Sequence, residues 1–98
     1  MKGWIVREFG DLDVMHWEEL PMPAPGPDEV RVRVRATGMN FAETRMRAGT
    51  YSGQPLPFVV GMEAAGEVDA VGANVRDFAV GQRVFGRARG AHAEYVCI

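Results

Sequence analysis

The sequence predicts a mainly β fold, a small and mostly antiparallel barrel or sandwich carrying one or two short helices. Three observations predict it. Strand-like runs recur with turn residues at roughly 8–12-residue spacing, one stretch alternates apolar and charged residues without a break, and a single segment has the marks of a helix start. The 98 residues suit one domain, 1–98, since a domain takes about 100–200 residues. With 47% apolar and 24% charged residues, the composition is that of a globular chain able to bury a core.

Runs 3–9 and 13–20 read as strands joined by the turn-prone Gly10-Asp11-Leu12, a hairpin signal. In Pro21-Met22-Pro23-Ala24-Pro25-Gly26-Pro27 every second residue is proline, which cannot donate to a ladder, so the segment reads as an extended connection. The run 29–36 is the most regular. Val30, Val32, Val34 and Ala36 share one face while Arg31, Arg33 and Arg35 share the other, the period of a strand with one wet face. An anion could sit on that arginine row, but a solvated exterior explains it, and no site is assigned there.

Asn40-Phe41-Ala42-Glu43 has the form of a helix start. An Asn cap accepts from the third backbone N–H while Glu43 reaches back to the cap's own N–H. Glu43 and Arg47 are expected to pair at i,i+4, Arg45 and Arg47 sit at the negative end, and Gly49 closes a helix of about two turns. Gly53, Pro55 and Pro57 then make a loop, and 63–71 reads as a strand with small residues at Ala64, Ala65 and Gly66. Gly72-Ala73-Asn74 turns the chain. Two further strands, 83–85 and 91–98, are expected after turns at Gly81 and at 86–90.

Eleven Lys+Arg against thirteen Asp+Glu give a net charge of −2, without the basic footprint that binding a phosphate backbone needs. Nucleic acid is therefore not an expected partner. Cys97 is the single cysteine, so no intrachain disulfide forms and a reducing cytoplasm is the expected compartment. No signal-peptide-like opening and no run near the ~20 apolar residues of a membrane span is present, so a soluble protein without membrane partners is expected.

Several blocks carry a family resemblance: Pro25-Gly26-Pro27-Asp28-Glu29-Val30, then 36–44, then Gly61-Met62-Glu63-Ala64-Ala65-Gly66-Glu67-Val68, Val71-Gly72, Val80-Gly81-Gln82-Arg83-Val84 and Ala93-Glu94-Tyr95-Val96. In this order the chain resembles the N-terminal catalytic domain of the medium-chain dehydrogenase/reductase superfamily. The resemblance implies a GroES-like, partly open β-barrel that works beside a Rossmann domain binding NAD or NADP. No Gly-x-Gly-x-x-Gly occurs in these residues. The chain is accordingly expected to be a fragment or a remnant that lacks the Rossmann domain, its missing partner.

Zinc-dependent members hold their metal with a cysteine where this chain has Asn40 and with a histidine where it has Met62. An amide and a thioether are too weak a set to replace them, so no zinc is expected. His16 and His92 read as surface or core-satisfied histidines, Met62 as a packing residue, and Glu63 as a carboxylate paired with an arginine. Gln82 departs from the family's Gly-Asp-Arg-Val pattern and leaves a local turn in question.

Asn40 followed by Phe-Ala-Glu, with Tyr51 further on, resembles the zinc-independent quinone oxidoreductase, or zeta-crystallin-like, branch. The resemblance implies NADPH-dependent reduction of quinones or other conjugated carbonyls. It places Asn40 and Tyr51 as catalytic candidates and Asn40 with Thr44 as cofactor-binding candidates; as an isolated chain the domain is expected to be inactive and to bind no cofactor. A stand-alone binding or assembly module of the co-chaperonin kind is the alternative, and a homo-oligomer through exposed strand edges is a further expectation.

Overall fold

The computed structural model describes all residues, Met1 to Ile98. It contains seven strands: β1 Lys2–Val6, β2 Met15–Glu19, β3 Val30–Thr37, β4 Phe58–Val59, β5 Glu63–Val71, β6 Arg83–Arg87 and β7 Tyr95–Cys97. One helix, α1, spans Phe41–Ala48, and a 3-10 turn spans Leu12–Val14. All pairings are antiparallel. They form a three-stranded sheet in the order β2-β1-β4 and a four-stranded sheet in the order β6-β5-β3-β7.

The two sheets do not close into a barrel but are stitched along one seam. Gly3 bridges Ala93, Trp4 N donates to His92 O (2.9 Å), Glu94 N to Lys2 O (2.9 Å), Val34 N to Glu94 O (2.9 Å) and His92 N to Val60 O (2.8 Å). The expected partly open, mainly β architecture is what forms. No helix is long and apolar enough to cross a membrane.

The core follows from the alternation in β3 and β5. Val30, Val32, Ala64 and Val68 point inward and meet Ala88, Ala91 and Val96, while Val6, Val14 and Val60 form a second cluster under the smaller sheet. Arg31 and Arg35 meet the alternate face of β5, where Asp69 and Glu67 lie opposite. Arg31 binds Asp69 through two bonds of 2.8 and 3.2 Å and also donates to Pro23 O at 3.0 Å, which ties the proline-rich connection to the sheet. The Asp69 hydrogen bond is the main reason the Arg31 guanidinium is raised above its ordinary pKa. Arg35 pairs with Glu67 at 3.2 Å. The arginine row is therefore largely neutralised within the sheet and not simply wet, because β5 carries acids at the matching register.

Several expected boundaries move. The first hairpin is shorter than 3–9 and 13–20: the Asp11 side chain accepts from Leu12 N (2.8 Å) and starts the 3-10 turn that buries Val14. β6 continues through Gly86 and Arg87, where a turn was expected, and the last strand shrinks from 91–98 to β7 because residues 91–94 are engaged in the seam. β4, two residues long, lies in what reads as loop. Gln82 keeps the turn that its identity put in question, its Oε1 accepting from Ala79 N at 3.2 Å.

Candidate functional site

Three segments meet at the seam: Gly38-Met39-Asn40 between β3 and α1, Gly61-Met62-Glu63 leading into β5, and Ala91-His92 before β7. Gly61 has φ +115°, and a Cβ there would lie 2.5 Å from His92 N and 2.8 Å from Ala91 N. Only glycine lets the β6–β7 connection come this close. The half-buried His92 ring places Nε2 3.1 Å from Gly38 O, so a histidine read as merely satisfied fixes the backbone two residues before Asn40. Gly38 in turn lies beneath Glu63, whose Oε1 would be 1.7 Å from a Cβ at that position. Glu63 makes no ion pair with an arginine, contrary to expectation, since its carboxylate lies over Gly38.

Asn40 N donates to Glu43 Oε2 at 2.9 Å and Asn40 Nδ2 to Glu43 Oε1 at 3.3 Å. Glu43 is buried, 5% exposed, and serves the helix start rather than Arg47. The expected Glu43–Arg47 pair is absent because Arg47 turns to Gly10 O (3.3 Å) and Asp11 (3.9 Å). Asn40 is exposed, and one of its amide hydrogens is engaged by Glu43. Thr44 is exposed and spends its hydroxyl on Phe41 O at 2.6 Å, within its own helix.

Tyr51 follows α1 and lines a cavity of about 700 Å³ together with Gln54, Phe58, Gly61, Met62 and the arginines Arg87 and Arg89. The structure thus brings Tyr51 and Met62 together. Asn40 and Thr44 are not among the residues lining that cavity. A second depression of about 530 Å³ is bounded by Gly38, Glu63, Phe85 and Arg87, and Arg87 borders both. Met39, Phe41 and Phe85 are 87%, 77% and 88% exposed.

Sequence reasoning passed over Arg87 and Arg89. Their signal was present, since they alternate with Gly86, Ala88 and Gly90 in an acid-free stretch, but that stretch reads as a turn. The amide of Asn40 and the thioether of Met62 are weak metal donors. No group of three or more His, Cys, Asp or Glu side chains is close enough to share an ion.

The alcohol dehydrogenase GroES-like domain family matches residues 26–98. The chain is 39% identical over 99 aligned positions to a quinone oxidoreductase of Homo sapiens, covering 97% of this chain and 30% of that protein. It is 45% identical over 84 positions to a 2-haloacrylate reductase of a Burkholderia species, covering 82% of this chain and 25% of that protein. The Escherichia coli quinone oxidoreductase complexed with NADPH superposes with a TM-score of 0.94 at 32% identity, over 100% of this chain and 31% of that one. The chain therefore spans less than a third of the length of these relatives.

Proposed function

This chain belongs to the alcohol dehydrogenase GroES-like domain family and matches the N-terminal portion of quinone oxidoreductases, and from that premise we propose that it is the substrate-side domain of an NADPH-dependent, zinc-independent reductase of quinones and other conjugated carbonyls. The single observation that carries the reading is the cavity shared by Tyr51 and Met62, which sets a phenol donor beside apolar side chains such as Phe58 and Val59. Quinones and haloacrylates, named for two relatives, share the electron-poor double bond that such a reaction needs.

NADPH supplies a hydride when bound. The chain's own part is to bind the acceptor and to stabilise negative charge developing on its carbonyl oxygen. Tyr51 would donate its hydroxyl there, and the exposed Asn40 amide, outside that cavity, would hold the carboxamide end of the cofactor, with Thr44 on α1 after it. Losing one such donor costs about 10²–10³ in rate. The start of α1 is no pyrophosphate site, because Glu43 already occupies the Asn40 N–H. The phosphates then fall to a Rossmann domain, and the exposed Met39, Phe41 and Phe85 are apolar side chains of the kind a second domain covers. A cytoplasmic location goes with this reading.

The test is a chimera in which residues 1–98 replace the matching portion of the Escherichia coli enzyme. Expected is NADPH oxidation with 1,4-benzoquinone that survives chelators and falls about 10²-fold in Tyr51→Phe or Asn40→Ala. A folded chimera that binds NADPH but turns over no conjugated carbonyl overturns the proposal.

A further inference from the structure

We propose that Arg87 and Arg89 make this cavity select conjugated acceptors that carry a carboxylate. The inference rests on the reductase reading and adds to it a charge preference. Among the residues lining the 700 Å³ cavity there is no aspartate or glutamate. Elsewhere in the chain most arginines are engaged. Arg7, Arg31, Arg35 and Arg47 form ion pairs, Arg45 and Arg76 bond to nearby carbonyls, and Arg33 lies 5.9 Å from the Tyr95 ring centroid.

Arg87 and Arg89 have no ion pair and no side-chain hydrogen bond. The neutralising partner that the sheet register offers Arg87 is Glu63, and that carboxylate lies over Gly38 instead. Two uncompensated guanidiniums therefore border a slot whose lining also carries the apolar side chains of Phe58, Val59 and Met62 beside the polar Ser52 and Gln54. Guanidinium binds carboxylate through paired N–H donors, and the planar fork fixes the orientation of what it holds. A small unsaturated acid would place its carboxylate on the arginines and its carbon skeleton on the apolar wall near Tyr51. The volume lies within the range of small-molecule sites.

The experiment titrates the ¹⁵N-labelled 98-residue chain with acrylate and, separately, with acrylamide, its neutral analogue of nearly the same shape. Expected are acrylate shifts centred on residues 86–90 and 51–54, with about fivefold tighter binding than acrylamide, a preference that weakens with added salt. The preference should vanish in R87Q/R89Q and persist in R83Q, which lies outside the cavity. Equal binding of the two probes, no shift at these residues, or a preference that survives R87Q/R89Q overturns the inference. Acrylamide binding without a carboxylate preference defeats this inference alone, while the quinone assay of the chimera decides the underlying reading independently.

Discussion

Replacing Gly61 with alanine should cost about 2–5 kcal/mol of stability, and the structure divides that cost into two parts. At φ +115° an L-residue sits in the left-handed region, a penalty of about 1–2 kcal/mol. The new Cβ would also press on backbone atoms, His92 N at 2.5 Å and Ala91 N at 2.8 Å. Backbone cannot swing aside as a side-chain tip can, and forced overpacking adds about 1–3 kcal/mol. Gly53 separates the two parts. Its φ is +75° and no atom lies within 4 Å of the place a Cβ would take, so Gly53→Ala should carry the backbone penalty alone. The gain from stiffening the unfolded chain is the same in both variants and cancels. Equilibrium urea unfolding of the two variants and the parent, compared at a common m-value, reads the difference. In Gly61→Ala, hydrogen exchange should also quicken at His92 N and Gly90 N, which bond Val60 O at 2.8 Å and Gly61 O at 3.0 Å. If the two variants agree within about 0.5 kcal/mol, the close approach at Gly61 is not what glycine is there to permit.

Asp69→Asn should cost about 1–2 kcal/mol in the same unfolding assay, because the paired side chains are only 21% and 22% exposed and Arg31 loses a bidentate partner; Glu67→Gln, facing a more exposed arginine, should cost under about 0.5 kcal/mol. Glu43→Ala should cost about 1–2 kcal/mol and fray the start of α1, seen as faster exchange at residues 40–44, since the buried carboxylate holds both Asn40 donors. Burial, then the charge of Glu29, pushes the Cys97 thiol above its ordinary pKa, so iodoacetamide at pH 8 should alkylate it more slowly than it does the urea-unfolded chain. A thiol pKa raised by folding contributes stability that is intact below the ordinary value and lost as pH climbs through the raised one, so alkaline titration should weaken the fold in that window. Fluorescence titration of the 98-residue chain with NADPH should show no saturable binding, because no phosphate-binding turn accompanies Asn40; tight binding would refute the division of labour proposed above.

What could be read in the sequence was whatever one element's own pattern determines. The alternation of β3 gave its faces, and Asn40 to Gly49 gave α1 with both ends, because capping and left-handed closure are local. What escaped depends on the register between elements. That Arg31 meets Asp69 follows from β3 lying against β5, 38 positions apart in sequence, and no spacing rule reaches that far. Glu43 shows how such competition runs: the i,i+4 rule offers it Arg47, but the loop at Gly10 and Asp11 packs close enough to take that arginine, and the carboxylate turns to its own cap. β4 was invisible for another reason. Two residues are too few to show a period, and the pairing of Ile5 with Val59 and Val6 with Phe58 depends on β1, which pairs with β2 on its other edge.

The same distinction explains where the candidate site lies. Asn40, Met62 and Tyr51 drew notice because the resemblance attaches to short blocks, yet besides Glu43 within its own block the backbone leading to Asn40 is held by a contact from outside those blocks. His92 reaches Gly38 across 54 positions, and its own N–H holds Val60 beside the glycine that admits it. The bonds that stitch the sheets are therefore also the bonds that position the site, so a change at the seam should disturb both together. That coupling separates His92 from the helix cap. His92→Gln retains an amide able to donate to Gly38 O and should preserve turnover in the chimera, whereas His92→Ala frees the Gly38 carbonyl and should lower kcat with little change in KM. Equal loss in both variants would assign the residue to bulk packing and detach it from the placement of Asn40.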